Sequence, residues 1–142
     1  MRRPRYSRLM RSVVVVASVF VALAVTTMGS AGGWSASLRI SYWEGGAVGS
    51  APDAAWTLRC TPPRGTLAKP ARACARLTAG GAALFAATPP KTACTEIYGG
   101  PQRARIVGTV GGRRVWTTVT RTNGCEIGRW QRLSPWLLPQ AA

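Results

Sequence analysis

The sequence predicts an α+β domain: an antiparallel sheet of four to five strands, with two short helices on one side and two disulfides. Three observations lead to this fold class. Apolar and polar residues alternate with a period of two in several segments, which is typical of half-buried strands. A stretch between those segments carries its apolar residues at helical spacing. The chain also has four cysteines, an even number that allows two bridges.

The strands are predicted from this alternation and from the turn residues that separate them. Between Ala36 and Tyr42 every second side chain is apolar, and the others are serine or arginine. Gly111-Gly112 predicts a two-residue hairpin turn, because glycine tolerates the positive φ that such turns require. The predicted strands are residues 36–42, 56–60, 103–110, 113–123 and 136–138.

A helix is predicted from Lys69 to Ala79. Pro70 suits its first turn, and the glycines at 80 and 81 are expected to end it. A further helical turn or two is expected over residues 82–87. The buried face of the helix would carry Ala73, Cys74 and Leu77.

Residues 1–31 are predicted to be a secretory signal peptide, and residues 32–142 a single domain. Five arginines precede an uncharged run from Val13 to Val25, and Gly29 and Ala31 are small residues of the kind that a signal peptidase reads. The apolar run is shorter than the roughly 20 residues of a membrane span, so a retained anchor is the alternative. The sequence therefore predicts a secreted, extracellular domain.

The composition is strongly basic. The chain has 19 Lys and Arg against 4 Asp and Glu, for a formal charge of +15, and loss of the five arginines in the signal leaves the domain at +10. This charge favours solubility, and it also attracts polyanions and anionic surfaces. A basic secreted binding module for a polyanion or a cell-surface partner is therefore an alternative function.

The residue types exclude most enzymatic chemistry. The chain has no histidine, so no Ser-His or Cys-His catalytic set can form. Without histidine or a Cys-x-x-Cys motif we expect no metal site, and no cofactor is indicated. An enzyme is not expected, because the carboxylates are too scattered to pair. They are Glu44, Asp53, Glu96 and Glu126.

The four cysteines, Cys60, Cys74, Cys94 and Cys125, all belong to the domain, and an oxidising compartment favours two disulfides. Four cysteines allow three pairings. Pairing Cys60 with Cys74 and Cys94 with Cys125 is favoured, because each bridge then closes a short loop. For the first loop, of about 15 residues, chain entropy predicts roughly 3 kcal/mol of stabilisation.

The candidate functional site is the segment Cys94-Thr95-Glu96-Ile97-Tyr98. It follows a proline pair at 89 and 90 and precedes Gly99-Gly100-Pro101, and these breakers predict an exposed loop. The cysteine ties one end of the loop to the body of the protein. A protease can bind an exposed, tethered segment as a substrate and then fail to dissociate from it. An ordinary loop beside a structural disulfide is the alternative.

Several short motifs follow one another in a specific order, with the cysteines at specific spacings. They are Trp56-Thr57-Leu58-Arg59-Cys60, Pro62, Gly65-Thr66, Pro70, Ala73-Cys74-Ala75-Arg76-Leu77, Gly80-Gly81, Cys94-Thr95-Glu96-Ile97-Tyr98, Pro101, Gly108, Gly112-Arg113-Arg114-Val115 and Asn123-Gly124-Cys125. In these motifs the chain resembles the Streptomyces subtilisin inhibitor family, over residues 36 to 127.

The resemblance implies a secreted inhibitor of serine proteases of the subtilisin type, usually a homodimer, with the disulfide pairing favoured above. It implies that the reactive bond follows the second residue after the loop cysteine, which makes it Glu96–Ile97 here. Cys94 and Thr95 would precede this bond in the protease-binding loop, and Tyr98 would follow it. From the sequence, Asn123 either supports the loop from beneath by a hydrogen bond or is a plain turn residue, and both interpretations stay open. The six tryptophans are expected to fill the core, with a dimer interface as the alternative.

Two departures from the family pattern bear on function. Family members commonly have an apolar or basic residue at the position of Glu96, and an unpaired carboxylate in an apolar pocket is costly. We therefore hypothesise that the target has a polar or basic pocket, as a Glu-specific serine protease would. Gly99 and Gly100 stand where the family usually has one acidic residue. Two glycines predict a looser leaving side of the loop, and hence a cleavable, temporary inhibitor or one that has lost inhibition.

Overall fold

The computed structural model describes residues 32–47 and 49–140, and the predicted signal peptide lies outside them. In the described part of the chain no helix is long and apolar enough to cross a membrane. The elements are β1 (Ala36–Trp43), β2 (Ala54–Cys60), β3 (Arg64–Gly65), α1 (Pro70–Gly80), a 3₁₀ helix (Gly81–Phe85), β4 (Arg103–Val110), β5 (Arg113–Thr120) and α2 (Gly124–Leu133).

The five strands form one antiparallel sheet in the order β3-β2-β1-β4-β5. The first strand lies at its centre, where Leu38 pairs with Leu58 on one side and with Gly108 on the other. The predicted α+β fold class is confirmed. The short strand β3 has only two residues, too few to show an alternation in the sequence.

One face of the sheet is covered by the helices, and most of the other face is exposed. At the end of β1 the side chain of Trp43 is buried on this second face, where its Nε1 donates to Ser50 O at 3.1 Å. Along β1 the side chains of Leu38 and Ile40 are buried, whereas those of Ser37 and Arg39 between them are exposed. Both α-helices and the 3₁₀ helix contribute to the core on the covered face. The period-two pattern therefore reports burial of one face against the helices.

The hairpin between β4 and β5 forms as predicted. Gly111 and Gly112 have φ of 55° and 77°, values that a two-residue hairpin turn requires and that glycine adopts without strain. The register runs from Val110 opposite Arg113 to Arg103 opposite Thr120.

The first helix also agrees with its prediction. Pro70 stands in its first turn, and Ala73, Cys74 and Leu77 are its buried residues. It ends where Gly81 takes a φ of 58° and donates its backbone N–H to Leu77 O. The expected extra turn is the 3₁₀ helix, whose Phe85 enters the core.

The chain after β5 differs from its prediction. The strand expected over residues 113–123 ends at Thr120, and α2 begins at Gly124. The physical reason is a helix cap: Asn123 Oδ1 accepts a hydrogen bond from the backbone N–H of Glu126 at 3.0 Å. An Asn at the N-cap with Glu three residues later is a helix-start signal.

The strand predicted for residues 136–138 is wrong. This segment is a turn after α2, and its backbone bonds to the helix end: Leu137 N–H donates to Leu133 O at 2.9 Å. The apolar run reflects burial, since Trp136, Leu137 and Leu138 all lie in the core.

The two disulfides are Cys60–Cys74 and Cys94–Cys125, with Cα atoms 5.6 Å and 5.3 Å apart. The pairing favoured from the sequence is confirmed. The first bridge joins the end of β2 to α1, and the second joins the loop before β4 to the first turn of α2.

Candidate functional site

A long connection without helix or strand runs from residue 86 to residue 102, between the 3₁₀ helix and β4. Irregular connections of this length are uncommon in compact domains and are usually functional. The predicted loop segment, Cys94 to Tyr98, lies in its second half. The connection has a local turn in which Thr92 donates to Pro89 O, but the segment from Cys94 to Tyr98 belongs to no strand ladder, so its backbone groups need partners from other elements.

Three ties hold this segment, and all of them reach the junction between β5 and α2. Cys94 is bonded to Cys125. The backbone N–H of Gly124 donates to Thr95 O at 2.9 Å, and that of Gly99 donates to Arg121 O at 2.7 Å. The disulfide and one hydrogen bond therefore fix the chain before the Glu96–Ile97 bond, and another hydrogen bond fixes it after.

The residues between these ties face solvent. Thr95 and Glu96 are exposed, Ile97 is 62% exposed and Tyr98 is 63% exposed. These two neighbouring side chains form an exposed apolar surface, the kind of feature that marks an interaction site when it is contiguous. The scaffold covers little of the Tyr98 ring, so the ring is available to an approaching protein.

The two glycines on the leaving side of the loop lie close to other side chains. A Cβ on Gly99 would lie 2.9 Å from Ile127 Cδ1, and one on Gly100, where φ is 130°, would overlap Gln102 Oε1. The glycines let the backbone approach α2 and the side chain of Arg121 closely. The looser leaving side expected from the two glycines stays a prediction.

A polar network lies next to Gly100 and continues to the end of β1. Arg121 Nη1 donates to Gln102 Oε1 at 3.0 Å, and Gln102 Nε2 donates to Glu44 Oε1 at 3.0 Å. Tyr42 Oη also donates to Glu44. Burial and the bond to Glu44 raise the pKa of Tyr42 to about 12. The hydrogen bonds from Tyr42 and Gln102 hold the pKa of Glu44 below its usual value.

The side chain of Asn123 forms the N-cap of α2. Its Oδ1 caps the helix by accepting from Glu126 N–H, which fixes the first turn that carries Cys125. Direct support of the loop by Asn123 stays a prediction. By capping α2, Asn123 helps to position Gly124 and Cys125, which form two of the three ties to the loop.

Arg129, which the sequence did not single out, is buried and anchors α2. Its guanidinium donates to both oxygens of Glu126 at 2.9 Å, to Thr118 O at 3.2 Å, to Thr117 Oγ1 at 2.6 Å and to Ala86 O at 3.2 Å. Such dense pairing is what a buried charge requires. The spacing of Glu126 and Arg129 on one helix was the only signal available.

What the arrangement can do chemically is present a peptide bond to another protein. In the described residues no group of three or more carboxylate or cysteine side chains could hold a metal ion. What the loop does offer is an exposed residue, Glu96, with the chain tied to other elements on both sides of it.

These features agree with the comparisons with known proteins. A family model described as subtilisin inhibitor-like matches residues 34–123. The match spans more than half of the chain, from just before β1 to the N-cap of α2. The chain therefore belongs to this family, whose members are inhibitors of serine proteases and not enzymes.

A similar solved structure is that of sermetstatin from Streptomyces caespitosus, determined in complex with subtilisin from Bacillus licheniformis. It is 27% identical to this chain, with a TM-score of 0.51, and the alignment covers 75% of this chain and 99% of sermetstatin. A search of curated proteins found no match.

Proposed function

We propose that this chain inhibits a serine protease through a substrate-like loop whose scissile bond is Glu96–Ile97. The observation that carries the proposal is the pair of backbone hydrogen bonds, Gly124 to Thr95 and Gly99 to Arg121, on either side of an exposed segment. The Cys94–Cys125 bridge reinforces the first of them. Sermetstatin, which has the same fold, was crystallised with a serine protease.

The mechanism depends on these ties, because they keep the two ends of a cut loop from separating. The protease serine attacks the carbonyl carbon of Glu96, and the oxyanion forms in the hole of the enzyme. When the bond to Ile97 breaks, the new amine stays beside the acyl-enzyme, because Gly99 remains bonded to Arg121. The amine can then attack the ester and reform the peptide bond before water does. The restrained loop also has little conformational entropy left to lose on binding, which raises affinity.

Glu96 suggests the target. Its side chain would enter the specificity pocket, where an unpaired carboxylate is strongly disfavoured unless the pocket supplies cations or hydrogen-bond donors. We propose a Glu-specific secreted endopeptidase. Inhibition constants of the native domain should be lower for Glu-specific enzymes than for subtilisin. Tighter inhibition of subtilisin would contradict this selectivity.

The contact between Gly124 and Thr95 yields a prediction. A Cβ on Gly124 would overlap Thr95 Oγ1, so Gly124→Ala should push Thr95 outward and break the hydrogen bond to its carbonyl. We expect inhibition to weaken about tenfold, the effect of losing one hydrogen bond of roughly 1.4 kcal/mol.

A matched control is Gly128→Ala on the same helix, where a Cβ would meet nothing within 4 Å. This control should keep its inhibition constant and gain slightly in stability, because alanine is the better helix former. Equal inhibition by the two variants would mean that Gly124 does not position the loop.

Export is a further part of the proposal. It rests on residues 1–31 and on the two disulfides, which persist in oxidising compartments. The N-terminal sequence of the chain recovered from culture medium should begin at Gly32, or within a few residues of it. Recovery of the full-length chain from the membrane fraction would favour the retained anchor.

The homodimer that the family resemblance implies is also a proposal. Sedimentation equilibrium of the domain should give twice the chain mass at micromolar concentration. A monomer across the whole concentration range would contradict it.

A further inference from the structure

Three strands of the sheet end at the same level, next to the leaving side of the loop. In the register the last residue of β1 pairs with the first residue of β4, and that residue pairs with the last residue of β5. One step beyond this level the chain has Glu44 after β1, Gln102 before β4 and Arg121 after β5. The strand pairing therefore places these three polar residues side by side.

Their side chains bond to one another in a row. Arg121 Nη1 donates to Gln102 Oε1 at 3.0 Å, and Gln102 Nε2 donates to Glu44 Oε1 at 3.0 Å. Glu44 is held in turn by the buried Tyr42, whose hydroxyl donates to its carboxylate, and by its own backbone N–H, which donates to Asp53 Oδ2 at 2.8 Å. The Arg121–Gln102–Glu44 row is thus anchored to the sheet at its far end.

The middle position of the row suits an amide. An amide accepts at Oε1 and donates at Nε2, so Gln102 can serve a donor on one side and an acceptor on the other. The donor is a guanidinium and the acceptor is a carboxylate. Each hydrogen bond is therefore assisted by a charge, and such bonds are stronger than those between neutral groups.

The leaving side of the loop lies against this row. Gly99 N–H donates to the backbone carbonyl of Arg121 at 2.7 Å. A Cβ on Gly100 would overlap Gln102 Oε1 and would lie 3.2 Å from Arg121 Nη1, so the backbone of Gly100 packs directly on the bond between these two side chains. Both contacts depend on where Arg121 lies, and Gln102 is the side chain that holds its guanidinium.

We propose that Gln102 is a positioning residue of the reactive loop, because it holds Arg121 where the carbonyl of Arg121 can bind the N–H of Gly99. This inference rests on the proposed function. Ile97, which becomes the new amine when the Glu96–Ile97 bond is cut, is two residues from Gly99. The position of Gly99 therefore restricts where that amine can lie.

The step that the row serves is religation. The nitrogen of Ile97 forms a bond to the carbonyl carbon of Glu96, the bond from that carbon to the protease serine breaks, and a proton passes from the amine to the serine oxygen. The ties before the scissile bond, at Cys94 and Thr95, do not involve the row. Loss of the row should therefore affect the rate of release of cut protein and spare the first binding step.

Two other interpretations lead to different measurements. If the row only closes the end of the sheet, its loss lowers the stability of the whole domain and exposes all amides alike. If the two glycines make the leaving side loose, as the sequence suggests, the N–H of Gly99 is unprotected in the native domain.

Amide hydrogen exchange, measured by NMR on the free domain, tests the positioning. In the native domain Gly99 N–H should exchange more slowly than an exposed amide. Gln102→Met keeps the length of the side chain and removes both of its hydrogen bonds. It should speed the exchange of Gly99 about two- to tenfold, the effect of losing a hydrogen bond. Gly124 N–H, which donates to Thr95 on the other side of the scissile bond, should keep its rate.

Two further variants show whether the effect passes through Arg121. Arg121→Met removes the guanidinium and keeps the backbone carbonyl, so it should also speed the exchange of Gly99. Combining it with Gln102→Met should add little, because the bond between the two side chains is already lost. Gln131→Met, the same substitution at an exposed glutamine of α2, is the matched control and should leave both amides at their native rates.

The second measurement uses a Glu-specific protease. Gln102→Met should be cut after Glu96 with a kcat about two- to tenfold higher than that of the native domain, matching its faster exchange, and with an unchanged KM. Gln131→Met should change neither value. Absence of inhibition by the native domain would end the proposed function, and the exchange rates would still decide whether Gln102 positions Gly99.

Three results would overturn the proposal. An unprotected Gly99 in the native domain, or an unchanged rate in Gln102→Met, would mean that the row does not hold the leaving side. Faster exchange at Gly99 and Gly124 together, with a lower free energy of unfolding, would reduce the row to a support of the fold. Faster exchange at Gly99 with an unchanged kcat would show that religation does not depend on Gln102.

Discussion

Replacing Cys94 and Cys125 together with serine is expected to convert this protein from an inhibitor into a substrate. The bridge is the covalent tie before the reactive bond. Ordering a residue costs roughly 1–2 kcal/mol, so freeing even two loop residues should weaken inhibition about a hundredfold or more. Closure of this longer loop also predicts a loss of roughly 4 kcal/mol in stability. Inhibition constants and denaturant unfolding measure the two effects.

The other bridge supplies the control. Replacing Cys60 and Cys74 with serine should cost roughly 3 kcal/mol of stability, but it leaves the ties of the loop in place. Measured where both variants remain folded, only the Cys94–Cys125 variant should lose inhibition and be cleaved progressively. If both double variants inhibit equally well, the disulfide does not hold the reactive loop.

The second large effect is expected from Glu96→Leu with subtilisin as the target. The leucine would enter an apolar pocket that disfavours the carboxylate, and removing an uncompensated charge from such a site is worth several kcal/mol. We therefore expect subtilisin inhibition to improve about a hundredfold or more. Inhibition of a Glu-specific protease should fall by a similar factor.

The neutral variant Glu96→Gln separates charge from shape. It should recover part of the gain against subtilisin, since it removes the charge while keeping the length of the side chain. If neither substitution changes subtilisin inhibition, residue 96 does not enter the specificity pocket and the reactive bond lies elsewhere.

The sheet could be predicted from the sequence because its burial is one-sided. Leu38 and Ile40 alternate with Ser37 and Arg39, and this contrast is visible without any knowledge of the partners. The second α-helix, α2, was not predicted from the sequence. It comes directly after a strand, so the face that includes Trp130 was not recognised as the face of a helix. The cap formed by Asn123 and Glu126 was the available signal.

The segment 136–138 shows the limit of a short apolar run. Three consecutive buried residues are compatible with a strand, a helix or a turn. In this chain the segment forms a turn, because the backbone carbonyl of Leu133 accepts hydrogen bonds from the N–H groups of Leu137 and Leu138. Such bonds depend on where the preceding helix ends.

The exposed loop was predictable from its breakers, but its restraints were not. The bonds to Thr95 O and from Gly99 N–H both reach residues 121–124, which are distant in sequence. They exist because β5 stops early and α2 begins beneath the loop. Gly99 and Gly100 suggested looseness from sequence alone, although in the fold they permit close packing against Ile127 and Gln102.

The central claim is that a restrained scissile bond lies between Glu96 and Ile97. Its most direct test is mass analysis of the domain after incubation with a Glu-specific serine protease and an acid quench. We predict one cut, after Glu96, with the two fragments joined until Cys94–Cys125 is reduced. We also predict that purified cut protein regains the intact bond on renewed exposure to the enzyme. Cleavage at another bond, or complete cleavage with full recovery of protease activity, would contradict the account.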